Sequence, residues 1–412
     1  MENRILVALD IGTTKIGVVI GQVNDEDEVE IVGIGTSVSD GLKKGVVVHI
    51  DKTVQSIKKA IEEAENVAGI EVREVVVGIA GRHIQSFDSK GIITVAKSDS
   101  LITPHDIQRC IEQASTFSIP EDREIIHVIP QNFVVDDQSG IKDPVGMCGI
   151  KIEGNVHIVT AAISSAQNIY NSVRKAGIDT SDIVLEPLAS AYAVLDSDER
   201  ELGCAVIDMG GGTTDIAVYA NKSIKYTSSI EFGGANVTSD LAIALRTPIR
   251  GAESIKVKYG ACAVSNIEEE QIKVPGVGGA KAREIEKSFV AKVIRARMKE
   301  IFEMVYQDLK KHKLTNNLGA GIIITGGGSL CEGTARLAEE VFEGIPVKVG
   351  YPKKLKGLYN SVHTPIHATG VGLLLYGLEQ LKANGTTKHG NSSNDGVINL
   401  FRKFAGWAKN YI

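Results

Sequence analysis

Asp208-Met209-Gly210-Gly211-Gly212-Thr213-Thr214-Asp215 is the stretch that decides the fold, and a shorter version of it, Asp10-Ile11-Gly12-Thr13-Thr14-Lys15, stands near the start of the chain. Each version follows a short apolar run, Ile5–Leu9 or Cys204–Ile207, and leads into a second apolar run. The pattern predicts strand, glycine-rich turn and strand, twice. The two copies lie about half a chain apart, much further than the ~20–50 residues of a repeat array. We therefore interpret them as two related halves of one fold.

A third glycine-rich turn, Gly326-Gly327-Gly328-Ser329, follows the apolar run Ile322–Ile324. Glycine tolerates positive φ and lets backbone N–H groups approach an anion closely, and the threonine hydroxyls add donors. Lys15 adds a positive charge that offsets phosphate charge. One such turn alone is more often a hairpin, but three in this order favour phosphate binding. The sequence contains neither a Walker A loop nor a Rossmann glycine motif.

Two carboxylates, Asp10 and Asp208, each end a predicted strand just before a glycine turn. We expect both to project into the space between the two halves. Facing carboxylates suit Mg²⁺, which keeps most of its waters when a protein binds it. The sequence therefore predicts a water-mediated magnesium site at Asp10 and Asp208.

The composition of the chain is ordinary for a globular protein. Its 412 residues are 43% hydrophobic and 23% charged, and the net charge of −6 gives no reason to expect nucleic-acid binding. The five cysteines form no CxxC pair, which fits a reducing cytosol. The N-terminal apolar run is too short for a signal peptide, and no stretch reaches the ~18 apolar residues of a spanning helix.

Two segments interrupt the halves. Residues 84–160 predict a small α+β module, with a helix over Thr103–Ser115 that has Thr103 as its N-cap and Pro104 at its first position. Residues 234–319 predict a mostly helical insertion, in which apolar residues recur at helical spacing along Arg283–His312.

The end of the chain combines a linker with an amphipathic segment. Residues 383–396 are rich in Gly, Ser and Asn, which is linker composition, and residues 397–412 predict a helix with an aromatic stripe and a basic face. Such a helix favours reversible binding to an anionic membrane surface; the alternative is a terminal helix docked on the protein's own core. The residues expected at the membrane are Leu400, Phe401, Arg402, Lys403, Phe404, Trp407, Lys409 and Tyr411.

Four motifs in order, DIGTTK, LEPLASA (Leu185–Ala191), DMGGGTTD and IIITGGGS, resemble the two phosphate loops, first connection and adenosine motif of the actin/Hsp70/sugar-kinase superfamily. The resemblance covers residues 1–380. It implies an α/β fold of two RNase-H-like (actin-like ATPase) halves, with two inserted subdomains, around a cleft that binds ATP and Mg²⁺. It also implies that Glu186 positions a water, although a carboxylate before Pro187 suits any helix start.

The segment Ala252–Gly260 resembles the helix that contacts adenine and ribose in Hsp70 relatives, which makes Glu253 and Lys256 candidates; the alternative is an ordinary helical ion pair. The residues assigned to the nucleotide are Asp10, Gly12, Thr13, Thr14, Lys15, Gly210, Gly211, Gly212, Thr213, Thr214, Glu253, Lys256, Gly326, Gly327, Gly328 and Ser329.

The early insertion, the helical second insertion and the basic aromatic tail together resemble the FtsA family of bacterial cell-division proteins. The resemblance implies a polymerising actin homologue, peripheral at the cytoplasmic face of the cell membrane and at the division septum. The implied partners are the C-terminal peptide of FtsZ, further copies of the chain, the anionic membrane and later division proteins. Arg283 and Arg297 match basic positions on the FtsZ-binding surface, although a solvated helix face would also explain them.

The expected domain boundaries follow from the motifs and the resemblance. The first half comprises residues 1–83, 161–202 and 365–382, with the α+β insertion at 84–160. The second half comprises residues 203–233 and 320–364, with the helical insertion at 234–319. The linker at 383–396 and the amphipathic helix at 397–412 complete the chain.

Three other functions remain open at this point. A small-molecule kinase of the same superfamily needs a substrate site beside the γ-phosphate but no basic tail. An Hsp70-type chaperone needs a substrate domain after residue 380, where only about 30 residues remain. A pilus-assembly relative should lack the tail. A motif does not set a hydrolysis rate, and we expect at most slow ATPase activity.

Overall fold

The structure, a computed structural model, describes residues 4–95, 101–116, 119–263 and 270–385. Its strands are β1 (Arg4–Ile11), β2 (Lys15–Val23), β3 (Val29–Val38), β4 (Leu42–Lys43), β5 (Val46–Val47), β6 (Glu74–Ile79), β7 (Gln85–Thr94), β8 (Arg123–Val135), β9 (Gln138–Ile141), β10 (Lys151–Ala162), β11 (Asp179–Leu185), β12 (Cys204–Met209), β13 (Thr214–Ala220), β14 (Ser223–Ile230), β15 (Gln271–Val274), β16 (Arg283–Glu286), β17 (Ile322–Thr325), β18 (Val347–Val349) and β19 (Lys356–Gly357). Its helices are α1 (Ile50–Ala68), α2 (Pro104–Ser115), α3 (Ile163–Ala176), α4 (Glu186–Val194), α5 (Ser197–Leu202), α6 (Gly234–Ala244), α7 (Ile249–Tyr259), α8 (Lys287–Lys311), α9 (Thr334–Val341), α10 (Tyr359–Val362) and α11 (Ala368–Gly385).

Two sheets repeat one strand order. The first reads β11-β6-β1-β2-β3-β19 and the second β14-β13-β12-β17-β18. In both, three antiparallel strands from consecutive hairpins are followed by two strands that run parallel to the first. The interpretation of two related halves is confirmed, and the two glycine turns occupy the same place, between the first two strands of each half.

The strand β1 shows why the sheets are buried on both faces. Leu6 and Ala8 belong to the core that includes α4 and α11, whereas Val7 and Leu9 belong to the core on the opposite face, with α1 and α3. Successive side chains of a strand point to opposite faces, so a continuous apolar run is what a sheet covered on both sides requires.

The early insertion folds as a four-stranded antiparallel sheet, in the order β7-β10-β8-β9, covered by α2. The helix begins after Thr103 with Pro104 in its first turn, as predicted. The helix lies so close to β7 that a Cβ on Gly91 would fall 1.9 Å from the Cys110 carbonyl oxygen. This sheet also contacts the second half, because Gln131 Nε2 donates to the Ile224 carbonyl oxygen at 2.9 Å.

The helical insertion differs from the prediction at one place. The long helix α8 begins at Lys287, whereas Arg283–Glu286 form the strand β16, which pairs with Gln271–Val274. The helical reading of Arg283–His312 was therefore wrong for its first four residues. Their backbone groups are satisfied by the neighbouring strand, a partner that helical periodicity does not reveal.

The last described helix, α11, packs against α4 and β1 of the first half. Gly372 permits close approach, since a Cβ there would lie 1.7 Å from the Ala189 carbonyl oxygen. Tyr376 Oη donates to Asp182 Oδ2 at 3.2 Å and fixes the helix to β11. The helix ends at Gly385, so it includes the first three residues of the segment expected to be linker, 383–396.

Within the described ranges, we find no helix whose length and hydropathy would let it cross a bilayer. The rest of the expected linker and the expected amphipathic helix at 397–412, with its eight membrane-facing residues, lie outside the described residues.

Candidate functional site

The two glycine turns touch each other. A Cβ on Gly211 would lie 2.4 Å from Thr14 Cγ2, and one on Gly212 would lie 2.4 Å from Thr13 Oγ1. Any side chain larger than hydrogen would therefore separate the turns. Glycine at these two positions allows the backbones of the two halves to approach at one point.

A cavity of about 410 Å³ lies where the turns meet. Sixteen of the residues predicted to form the site line it. These are Asp10, Gly12, Thr13, Thr14, Lys15, Glu186, Asp208, Gly210, Gly211, Gly212, Thr213, Glu253, Lys256, Gly326, Gly327 and Gly328. Segments from both halves and from the helical insertion thus converge on one enclosed space.

Two predicted contacts, Thr214 and Ser329, are not among the lining residues. Thr214 is buried in β13, and its hydroxyl donates to the Phe232 carbonyl oxygen at 2.8 Å. Ser329 is also buried, and its hydroxyl donates to the Gly326 carbonyl oxygen at 2.7 Å. Both hydroxyls hold the backbone of a turn rather than facing the cavity.

Asp208 is held firmly at the base of the cavity. Its Oδ2 accepts hydrogen bonds from Ser190 Oγ at 2.5 Å and Thr369 Oγ1 at 3.1 Å. Its Oδ1 lies against Gly326, where φ is +79° and a Cβ would come within 2.3 Å of that oxygen. Burial raises the pKa of Asp208, and the two hydroxyl donors oppose that rise.

Three further carboxyl groups share this base. Burial raises the pKa of Asp10 to about 6 and that of Asp215 to about 7, and the charge of Asp208 adds to both shifts. Burial also raises the pKa of Glu186 well above its usual value, with repulsion from Asp10, Asp215 and Asp208. Ionising all four buried carboxyl groups would cost a large amount of free energy unless a cation lies nearby.

Lys15 is the cation among them. It is half-buried, with Nζ 3.4 Å from both the Ile366 carbonyl oxygen and His367 Nδ1. Burial lowers the pKa of Lys15, while Asp10 and Asp208 raise it. Burial and the nearby Lys15 lower the pKa of His367 to about 4, so the histidine is neutral and Lys15 carries the positive charge.

A cation and an anion would both fit this arrangement. Asp215 Oδ1 is buried without a hydrogen-bond partner in the part of the chain that the structure describes. Over the same ranges, no group of three or more His, Cys, Asp or Glu residues is placed to hold a metal alone. A Mg²⁺ ion here would therefore complete its octahedral coordination with waters and with oxygens of a bound ligand, as Mg²⁺ usually does in proteins.

The far end of the cavity is formed by α7 and the third glycine turn. Lys256 Nζ donates to the Gly234 carbonyl oxygen at 3.1 Å and to Thr238 Oγ1 at 2.9 Å, and pairs with Glu253 at 2.8 Å. Apolar side chains complete this end: Val237, Val257, Ile294, Met298 and Leu330. An apolar wall with a few polar groups at its edge suits a planar heterocycle.

Sequence reasoning missed several lining residues. Asp215 stood beside the predicted Thr214 in the quoted motif, and Ile11, Val257 and Gly260 also lay inside quoted motifs. Gly45, whose N–H donates to Thr13 Oγ1 at 2.9 Å, and Thr369 arrive from distant parts of the chain. No local pattern marks them.

The two arginines expected to meet a partner are already engaged. Arg297 Nε donates to Asp240 Oδ2 at 2.6 Å, and Arg297 Nη1 donates to Glu300 Oε2 at 2.5 Å. Arg283, on β16, donates to the Leu245 carbonyl oxygen. Arg297 is on α8, but neither side chain is a freely solvated cation.

Comparison with protein families gives two matches. The model described as cell division protein FtsA matches residues 205–372, and the model described as the SHS2 domain inserted in FtsA matches residues 81–160. The second range corresponds closely to the expected insertion at 84–160.

Several curated relatives match along most of their length. Cell division protein FtsA of Pseudomonas aeruginosa is 46% identical over 92% of this chain and 90% of the relative. Proteins of the same name from Neisseria meningitidis (42% identical, covering 90% of each chain) and Escherichia coli K12 (35% identical, covering 92% of this chain and 91% of the relative) match similarly.

Solved structures share the fold. The PilM-PilN type IV pilus biogenesis complex superposes with a TM-score of 0.65 at 15% identity, covering 90% of this chain and 98% of that one. MreB5 of Spiroplasma citri bound to ADP gives a TM-score of 0.58 at 15% identity, covering 94% of this chain and 100% of that one. The predicted fold class, two actin-like halves with inserted subdomains, is confirmed.

Proposed function

Since this chain belongs to the FtsA family of cell-division proteins, we propose that it is an ATP-binding actin homologue that polymerises at the cytoplasmic membrane and tethers FtsZ filaments to it at the division septum. The relatives that are 35–46% identical carry the cell-division name, which leaves the kinase and pilus-assembly alternatives without support. The domain boundaries expected from the sequence are part of this proposal.

One observation carries the nucleotide assignment: two glycine turns from opposite halves touch beside a cavity whose base holds Lys15 and four carboxyl groups. In the proposal the turns and Lys15 bind the phosphates, and Asp10 and Asp208 hold Mg²⁺ through water. The far end, with Glu253, Lys256 and the turn at Gly326–Gly328, receives the adenosine. Magnesium, when bound, supplies charge neutralisation for the phosphate oxygens.

Glu186 is the proposed water-positioning residue. It begins α4 at the wall of the cavity, and a Cβ on Gly78 would lie 2.9 Å from Glu186 Cγ. Burial, with added repulsion from three carboxyl groups, raises the pKa of Glu186. Positioning a water is the main task of the protein in hydrolysis of this kind, and at most slow ATPase activity stays our expectation.

The test of the nucleotide site is calorimetric titration of the full chain with ATP, with and without Mg²⁺. Asp208→Ala should weaken Mg²⁺-dependent binding by tenfold or more, because it removes a metal-facing carboxylate and leaves two buried hydroxyls without their acceptor. Asp25→Ala, at an exposed turn, is the matched control. Equal Mg²⁺-ATP affinity in all three proteins would place the metal elsewhere.

The test of membrane tethering compares the full chain with one that ends at Gly385, where α11 ends. The full chain should sediment with phosphatidylglycerol vesicles and not with phosphatidylcholine vesicles, and the shorter chain should sediment with neither. Full-length Trp407→Glu should behave like the shortened chain. Sedimentation of the shortened chain with anionic vesicles would remove residues 397–412 from the proposal.

The proposed FtsZ contact involves α8 and its neighbours. Because Arg297 pairs with Asp240, a peptide carboxylate would have to compete with that pair. Arg297→Ala should weaken binding of an FtsZ C-terminal peptide, whereas Asp240→Ala should strengthen it by removing one of the two carboxylate partners of the arginine. Equal weakening by both substitutions would mean that the pair serves only the local structure.

The further expectations concern self-association and later division proteins. Filament formation by further copies of the chain and recruitment of later division proteins through the 84–160 insertion are proposed from family membership. Sedimentation of the full chain with ATP on anionic vesicles, with and without FtsZ, would test the tether and the polymer together.

A further inference from the structure

Two cysteines far apart in the chain lie side by side near the cavity. Cys262 Sγ and Cys331 Sγ are 3.7 Å apart although 69 residues separate them. Their backbones are also joined, because Ala261 bridges to Glu332 and the Cys262 N–H donates to the Glu332 carbonyl oxygen at 2.6 Å. The short backbone contact holds the two thiols in register.

The two thiols differ in exposure. Cys262 is fully buried, whereas Cys331 is half-buried and lines the cavity. A small polar reagent can therefore reach the pair from the cavity through Cys331. A nucleotide that fills the cavity would block that route.

Polar neighbours surround the buried thiol. Thr334 Oγ1 lies 3.6 Å from Cys262 Sγ, and Arg295 Nη1 donates to the Cys262 carbonyl oxygen at 3.0 Å. The hydrogen bond between the sulfurs lowers the pKa of Cys262 and raises that of Cys331, so the two thiols lose their protons as a coupled pair. A thiolate is the reactive form of cysteine.

The pair joins two walls of the site. Cys331 directly follows the turn Gly327–Leu330, and Cys262 follows the end of α7, which carries Glu253 and Lys256. A covalent bond between the sulfurs would fix the distance between the third glycine turn and α7.

We propose that Cys262 and Cys331 form a redox-sensitive site, in which a peroxide converts the two thiols to a disulfide that weakens nucleotide binding. The effect on the nucleotide rests on the function proposed above, whereas formation of the disulfide does not.

The chemistry balances with hydrogen peroxide as the oxidant. Peroxide oxidises one sulfur to a sulfenic acid and leaves as water. The other sulfur, as thiolate, forms the S–S bond and displaces the hydroxyl group, which takes up the remaining thiol proton and leaves as the second water. Two thiols lose two electrons, and the peroxide gains them.

Closing the bond requires movement. The sulfurs must close from 3.7 Å to about 2.0 Å, by rotation of the two side chains together with movement of the walls that carry them. Movement of the walls changes the distance between the third glycine turn and α7, and a site assembled from both walls would then lose affinity for its ligand.

The experiment treats the full chain with hydrogen peroxide, with and without ATP, and maps disulfides by non-reducing peptide mass spectrometry. We expect a 262–331 linkage that forms more slowly with ATP present. Oxidation of the exposed Cys148 shows that the peroxide is active. Oxidation of the buried Cys110 or Cys204 would show that the protein has unfolded. An oxidised Cys148 beside a fully reduced 262–331 pair would overturn the proposal.

The second measurement is ATP affinity before and after oxidation. Oxidised protein should bind ATP at least tenfold more weakly and recover with dithiothreitol, whereas Cys262→Ser and Cys331→Ser should each be insensitive to peroxide. A mapped disulfide with unchanged ATP affinity would overturn the regulatory effect. If the reduced protein binds no ATP, the proposed function fails, and the peptide map still decides whether the disulfide forms.

Discussion

The two glycine turns that meet in the cavity share their backbone pattern and differ in the residue that follows the threonine pair. In the first half that residue is Lys15, which is half-buried and lines the cavity. In the second half it is Asp215, which is buried in β13 beside Asp208. The two hairpins therefore place a cation on one side of the cavity and a carboxyl group on the other, at different positions: Lys15 precedes the first residue that pairs with β1, whereas Asp215 pairs with Asp208.

The comparison shows that the repeated sequence places a glycine turn in each half, whereas burial determines how costly it is for Lys15 and Asp215 to be charged. Burial is the largest cause of both pKa shifts, downward for Lys15 and upward for Asp215. Each shift favours the neutral form, so both groups are held in an environment that disfavours their charge. A ligand that carries a phosphate and a divalent cation would compensate both, which ties the stability of the protein to occupancy of the cavity.

The largest expected effect comes from removing the buried charge of the second turn. Asp215 has its pKa raised from 3.8 to about 7, so the folded state binds more protons than the unfolded state between those values, and the free energy of unfolding falls as pH rises through them. Asp215→Asn should raise the free energy of unfolding by up to about 4 kcal/mol at pH 8. The gain should vanish toward pH 4.

Urea unfolding of the nucleotide-free protein at several pH values checks this, with the exposed Asp25→Asn as control. A gain that does not change with pH would show that Asp215 is ionised at a normal pKa. Burial in the second turn would then add nothing to the free energy of ionising Asp215.

The next effect concerns the cation of the first turn. Lys15→Met should weaken ATP binding by about 10- to 100-fold, since a charged hydrogen bond to phosphate contributes about 1.5–3 kcal/mol. Lys15→Arg should retain more of the affinity, and Lys43→Met, at an exposed site nearby, should retain all of it. Titration with ATP at two salt concentrations measures this; equal loss in the Arg and Met variants would assign Lys15 a packing role.

An effect of similar size tests the contact between the turns. Gly211→Ala should weaken ATP binding by roughly 1–3 kcal/mol, because its Cβ would overlap the Thr14 side chain. Adding Thr14→Gly moves the glycine to the other turn and should restore part of the loss. A double variant no better than Gly211→Ala would mean that the contact is not steric.

The smallest effect lies at the mouth of the cleft. Lys44 Nζ and Glu231 Oε2, 3.1 Å apart, join the first half to the second, but both side chains are substantially exposed. Such a pair is usually worth about 0–1 kcal/mol. A double-mutant cycle of Lys44→Ala and Glu231→Ala, read by chemical unfolding, should give a coupling in that range. A larger coupling would identify this pair, rather than the turns, as the main link between the halves.

The sequence predicted the parts of the site whose signals are local. A glycine turn after an apolar strand end, such as Asp208–Gly212, is readable because the strand, the turn and the functional groups are consecutive. Repetition of that unit indicated two halves, and the shared strand order confirms it. The order of the motifs then indicated the family.

What the sequence did not predict depends on contacts between distant segments. The strand Arg283–Glu286 exists because Gln271–Val274 pairs with it, and its apolar Ile285 fits a helix equally well. Whether Thr214 faces the cavity is decided by strand register, which assigns its hydroxyl to Phe232. The Cys262–Cys331 pair has no signal in either local segment.

The packing of α11 determines which half of the molecule would first receive a pulling force applied to the chain beyond this helix. Gly372 and Tyr376 fasten this helix to α4 and β11, which belong to the first half. A pull on the chain beyond Gly385 is therefore transmitted first to that half. The force would reach the second half only through the contacts between the two halves. The cleft between the halves can therefore differ in width between a tethered molecule and a free one.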